Sequence, residues 1–144
     1  MIRLQLSEIA ATLDCIAPPC DVGIDRVVAD SRKAQPGALF AALPGSQVDG
    51  HDFAETAVGK GAVALLVKRR LELDVPQLVV RDVLLALGKI AALLRQRLDP
   101  EVVGITGSNG KTTVKEMVAS ILRQEGEVLA TGGNYNNELG LPLT

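Results

Sequence analysis

The stretch VVGITGSNGKTTVKEM, residues 102–117, constrains the chain most, because it joins an apolar run to a patterned helix through a glycine-rich turn. Val102 to Thr106 read as a buried strand without alternation. Gly107 and Gly110 then let the backbone wrap tightly. Val114, Met117, Val118, Ile121 and Leu122 recur at i, i+3, i+4, i+7 and i+8, which predicts an amphipathic helix starting at the turn. At such a helix start the unpaired N–H groups converge and the helix dipole adds partial positive charge, an arrangement suited to the oxygens of a polyphosphate. Lys111 brings a full positive charge toward the β- and γ-phosphates, and Thr112 offers a hydroxyl to Mg2+. The candidate nucleotide-binding residues are therefore Gly107, Ser108, Asn109, Gly110, Lys111, Thr112 and Thr113, with Lys111 as the catalytic charge and Thr112 as the metal ligand. The spacing departs from G-x-x-x-x-G-K-[ST]: Ile105 stands where the first glycine is expected, and Gly104 sits one place early.

The preceding hundred residues alternate between strand-like and helix-like segments, which predicts an α/β fold. Ser7 and Glu8 read as the cap and first-turn acid of a short helix ending before Pro18 and Pro19. IDRVVADSR reads as a strand entering a polar turn, PGALFAAL as a turn and a buried strand, and PGSQVDGHD as a glycine-rich loop. FAETAVGKG follows as a short helix, then the strands AVALLV and PQLVV. Asp82 reads as the cap of a helix through Leu98 with Leu84, Leu87, Ala91, Leu94 and Leu98 on one face, and Pro100 ends it. Three parts are expected: an α/β unit over 1–82, a connecting helix over 83–100, and from 101 the first part of a P-loop, Rossmann-like parallel-sheet unit with VLAT as its second strand. Two strands cannot bury their own faces. The region after about 101 is therefore expected to be only partly ordered and the chain to be truncated.

Composition narrows the functions. The formal charge is −2, and Phe40, Phe53 and Tyr135 are the only aromatics, so neither an electrostatic footprint nor a stacking platform for nucleic acid is present. Cys15 and Cys20, with four residues between them, have neither zinc nor redox spacing. The N-terminus MIRLQLSEIAATL lacks a continuous apolar core and no run reaches membrane-spanning length, so a cytoplasmic protein without membrane insertion is expected.

GITGSNGKTT resembles the phosphate loop of the Mur ligase family, whose members use ATP to join amino acids or peptides to a UDP-linked muramoyl precursor of bacterial peptidoglycan. The segment from Asp30 to Val67 is similar to the uridine-nucleotide-binding domain shared by the two late-acting members. TGGNYNNELGLPLT resembles the member that adds D-alanyl-D-alanine to UDP-N-acetylmuramoyl tripeptide; the relative that adds the third residue, and a nucleotide-binding module without catalysis, are the alternatives. The resemblance implies ATP and Mg2+ as cofactors, and UDP-N-acetylmuramoyl peptide and D-alanyl-D-alanine as the molecules bound by a monomeric ligase. It implies UDP-substrate contacts at Ser31 and Arg32, which otherwise read as a common Asp-Ser turn with a surface arginine. His51, between Asp49 and Asp52, is either a substrate contact or a residue that holds its loop. Asn134, Asn136 and Asn137 are amides that either meet nucleotide or substrate or form a turn; Asn134 and Asn137 are the contacts expected. By itself this stretch is expected to be inactive, because the family places the acid that completes the metal site later in the chain.

Overall fold

The computed structural model describes residues 3–45 and 48–132. Chain order is β1 (Leu4–Gln5), α1 (Leu6–Thr12), β2 (Gly23–Ile24), β3 (Arg26–Val28), β4 (Ala38–Ala41), α2 (Ala54–Gly59), β5 (Ala62–Val67), β6 (Gln77–Val79), α3 (Val83–Leu98) and α4 (Lys111–Leu122). Single 3-10 turns at Ser31–Lys33 and Gly50–Phe53 follow β3 and precede α2. The fold is α/β, as the alternation predicts. β3, β4, β5 and β6 form a parallel sheet in that order, and β1 pairs antiparallel with β2 in a small separate ribbon.

Apolar runs become strands here because both sheet faces are covered. Leu39 and Ala41 of β4, Ala64 and Leu66 of β5, and Leu78 of β6 point to one face, where they pack with Leu6, Ile9 and Ala10 of α1 and Val83, Leu87 and Ile90 of α3. The intervening Phe40, Leu65 and Val67 point to the other, against Ala54 and Ala57 of α2. Period-2 alternation thus divides uniformly apolar strands between two cores. All four residues of β4 are buried.

Local chemistry sets the element ends. Asp82 caps α3 as expected, its carboxylate accepting from the Leu85 N–H at 3.0 Å. The helix ends at Asp99, in the left-handed conformation at φ 44° just before Pro100. Its buried face differs from the expected one: Val83, Ala86, Leu87 and Ile90 are buried, while Leu98 is 55% exposed. The first half of α3 packs on α1 and the sheet, whereas its last turn is exposed and reaches α1 through the Arg97–Glu8 ion pair. Ser7 is likewise not a helix cap. It lies inside α1, and its N–H and hydroxyl donate at 2.9 and 2.7 Å to the carboxylate of Asp21, fourteen residues away.

The strands expected at EVVGIT and VLAT do not form. Val102 and Val103 are each 61% exposed and Leu129 is 79% exposed. A parallel strand exists only through its ladder, and no strand among the described residues pairs with either stretch. The helix after the glycine turn does form as α4, with Val114, Met117 and Ile121 exposed along its apolar stripe.

Candidate nucleotide and substrate sites

The turn before α4 takes its shape from two glycines. Gly107 sits at φ 150° and Gly110 at φ 76°, conformations that side-chain-bearing residues rarely adopt. Gly104 has no such requirement, and a Cβ added there would meet no neighbour. Gly110 occupies the cap position of α4 with no side-chain acceptor there, and the first intrahelical bond runs from the Val114 N–H to the Gly110 carbonyl at 2.9 Å. The N–H groups of Lys111, Thr112 and Thr113 thus precede the helical ladder. The Lys111 ammonium folds back across the turn to the Gly107 carbonyl, so the full charge lies within the backbone curve. Ser108, Asn109, Thr112 and Thr113 are exposed around it. Thr112, Thr113, Glu116, Met117, Ser120 and Ile121 line an open hollow of about 730 Å3 alongside the helix.

Such a turn can hold a polyphosphate through convergent N–H groups, the helix dipole and one ammonium. For Mg2+ the fit is that of a single ligand. Thr112 presents one exposed hydroxyl, and the described residues contain no cluster of three or more acidic, histidine or cysteine side chains. A metal that prefers oxygen and retains water can complete its shell with phosphate oxygens and solvent.

The residues expected to meet UDP lie elsewhere, at the loops leaving the carboxyl ends of the parallel strands. This is where open α/β sheets bind ligands. Asp30 caps the turn after β3 by accepting from the Arg32 N–H at 3.0 Å, and it pairs with the Arg32 guanidinium through contacts of 2.9 Å at Nε and 2.9 Å at Nη2. These bonds, the side-chain one foremost, bring the Asp30 carboxyl down to about 2. Ser31 is buried, and the Arg32 side chain is 83% exposed. Lys60, just beyond α2, donates to the Arg32 carbonyl at 3.4 Å and gathers a second cation there.

His51 has both ring nitrogens engaged within the protein. Nδ1 meets Asp49 Oδ1 at 2.6 Å, and Nε2 accepts from the Lys68 N–H at 3.0 Å, so the proton sits on Nδ1. Asp49 also accepts from the His51 N–H at 3.0 Å; this backbone bond and then the ring contact bring its carboxyl down to about 2. The ring ties the loop after β4 to the end of β5, and its side chain is 3% exposed.

The turns carrying Ser31, Arg32 and His51 both pack against α2, so the structure brings these three to one side of the sheet. The glycine turn belongs to α4, beyond α3. Asn134, Asn136 and Asn137 lie outside the described residues. A groove of about 990 Å3 runs between residues 13–20, β6 and the start of α3 and includes none of the expected site residues. No helix among the described residues is long and apolar enough to cross a membrane.

Residues 105–144 match the model of the Mur ligase middle domain. Over its full length the chain is 49% identical to the UDP-N-acetylmuramoyl-tripeptide–D-alanyl-D-alanine ligase of Escherichia coli K12, of which it covers 32%. Among solved structures, the UDP-N-acetylmuramoylalanyl-D-glutamyl-2,6-diaminopimelate–D-alanyl-D-alanyl ligase of Acinetobacter baumannii superposes with a TM-score of 0.88 at 36% identity, over 99% of this chain and 33% of that one. A ligase of Thermotoga maritima in complex with ADP superposes with a TM-score of 0.73 at 38% identity, over 82% of this chain and 28% of that one. The chain spans about a third of the length of the relatives it matches.

Proposed function

Because the chain belongs to the Mur ligase family, we propose that it is the N-terminal part of a cytoplasmic ATP-dependent ligase that joins D-alanyl-D-alanine to UDP-N-acetylmuramoyl tripeptide. Residues before about 82 form the unit for the UDP end of the substrate, and residues from about 101 begin the unit for ATP, with α3 between them. The observation that carries this reading is the turn itself: two glycines in left-handed conformations, an uncapped helix start, and the Lys111 ammonium held across the backbone curve.

The reaction follows from what such a turn can stabilise. The terminal carboxylate of the tripeptide attacks the γ-phosphorus of ATP, ADP leaves, and the carboxylate becomes an acyl phosphate. The amine of D-alanyl-D-alanine then attacks the acyl carbon, and the amide forms as inorganic phosphate departs. No protein nucleophile is needed. Lys111 and the N–H groups of Lys111, Thr112 and Thr113 meet charge that spreads over the phosphoryl oxygens in transfer, and their placement ahead of the event is what makes them effective. Thr112 would hold Mg2+, which supplies further neutralisation of phosphate charge.

The test uses the full-length gene product. ADP should accumulate only when ATP, Mg2+, UDP-muramoyl tripeptide and D-alanyl-D-alanine are all present, and Lys111→Ala should lower the rate by a hundredfold or more, roughly the loss on removing one positioned charge-stabilising donor. A single diamino acid used as well as the dipeptide would move the assignment to the third-residue-adding relative. A Lys111→Ala loss below about tenfold would remove the turn from the chemistry.

A further inference from the structure

We propose that Lys115 is a positioning residue for the nucleotide site, tying the segment Val128–Gly132 to the phosphate-loop helix through the Thr131 carbonyl; the proposal rests on the reading of Lys111–Thr113 as the anchor of that site.

Lys115 stands one helical turn after Lys111, on the same face of α4. Its location weakens an isolated helix on two counts. Like charges at i, i+4 repel, and a cation near a helix start opposes the dipole. Helix stability therefore does not explain a lysine here. The side chain is nonetheless 17% exposed, whereas that of its neighbour Glu116 is 58% exposed. Its ammonium donates to the Thr131 carbonyl at 2.5 Å, across sixteen residues, and pairs with Glu116 Oε1 at 2.9 Å. The Glu116 carboxyl is lowered chiefly by that bond to Lys115.

The Lys115–Thr131 bond is the one hydrogen bond that ties residues 127–132 to α4 among the described residues. Ala119, the buried residue of the helix, lies one turn further along the same face. Val128, Ala130 and Thr131 are half-buried while Leu129 is exposed. With no ladder to hold it, the segment has this charged contact beside the partial burial of Val128, Ala130 and Thr131. Thr131 precedes Asn134 by three residues in the sequence, and the bond anchors the last described part of this segment to α4. Lys115 therefore acts on position, and Lys111 acts on charge in the transition state.

Full-length protein carrying Lys115→Met or Lys115→Arg tests this through two readouts, amide hydrogen exchange and steady-state kinetics in ATP. Lys115→Met should speed exchange at 128–132 by about tenfold or more, leave protection within α4 unchanged, and raise the KM for ATP about tenfold with kcat within about twofold, as loss of a charge-assisted bond remote from the reacting atoms requires. Lys115→Arg, which keeps the donor charge, should restore both readouts toward wild type. Unchanged exchange at 128–132 in Lys115→Met would overturn the proposal. So would a fall in kcat at constant KM, which would put Lys115 in the chemistry, or faster exchange throughout α4, which would make it a helix-stability residue. If the wild-type protein does not turn over ATP, the functional reading fails and the kinetic part of this proposal fails with it, while exchange alone reports whether the tie to Thr131 exists.

Discussion

Gln77 is the polar residue on which the connection between β5 and β6 depends, and replacing it gives a stability change that can be worked out bond by bond. It is 7% exposed at the start of β6. Its Oε1 accepts from the Leu71 N–H at 2.9 Å, and its Nε2 donates to the Leu71 and Leu73 carbonyls at 2.8 and 3.1 Å. Gln77→Met keeps the length of the side chain and removes all three bonds. At ~1 kcal/mol net for each the loss is about 3 kcal/mol, reduced toward about 2 kcal/mol because the half-exposed loop groups can regain water. Urea unfolding of the 144-residue chain, followed by far-UV circular dichroism, should show the midpoint falling by roughly 1–2 M at an unchanged slope. Gln77→Glu sharpens the test. It keeps the acceptor for Leu71 but turns a carboxylate toward two carbonyls, so its folded-state pKa should rise above the unfolded value and its penalty should shrink as pH falls below about 5. A Gln77→Met loss under ~1 kcal/mol, or a Gln77→Glu penalty that does not ease in acid, would refute the view that these three bonds hold the connection.

Two further outcomes follow from the side of the sheet that carries Ser31, Arg32 and His51. Ser31→Ala and Arg32→Ala in the full-length protein should weaken UDP-substrate binding with ATP binding nearly unchanged, whereas His51→Ala should chiefly lower the thermal midpoint, because both ring nitrogens serve the loop; calorimetric titration with each ligand and thermal melts check both halves. In acid, the Asp30 and Asp49 carboxyls, depressed to about 2 in the folded chain, contribute stability that is fully present above their ordinary value near 3.8 and is lost as pH falls toward 2. Asp30→Asn combined with Asp49→Asn should flatten that part of a stability-against-pH profile measured by urea unfolding.

What could be read ahead of the structure was what short-range chemistry decides. Apolar runs too short for helices became β4 and β5, and Asp82 capped α3 because its acceptor reaches only three residues. The glycines at 107 and 110 declared a backbone that other residues avoid. Long-range partners were hidden. Asp21 takes the capping bonds assigned to Ser7, and Lys68 accounts for His51 from seventeen residues away. Gln77 is invisible as a fastener inside PQLVV, because a polar side chain declares neither its burial nor its partners. Val102 and Val103 have strand composition without a partner strand among the described residues, and composition alone builds no ladder. For the candidate nucleotide site, the glycine turn and the helix behind it were legible as a continuous motif, while Lys115 was not, since only its contact with Thr131 distinguishes it from an ordinary helix lysine.

Oxygen-isotope transfer reads out whether the turn at residues 107–113 serves to activate a carboxylate. UDP-muramoyl tripeptide labelled with oxygen-18 in its terminal carboxylate would be incubated with the full-length protein, ATP, Mg2+ and D-alanyl-D-alanine, and the inorganic phosphate formed would be weighed by mass spectrometry. An acyl phosphate intermediate predicts one labelled oxygen in each phosphate formed alongside a new amide. Amide formation with unlabelled phosphate, or phosphate released with no amide at all, would contradict it.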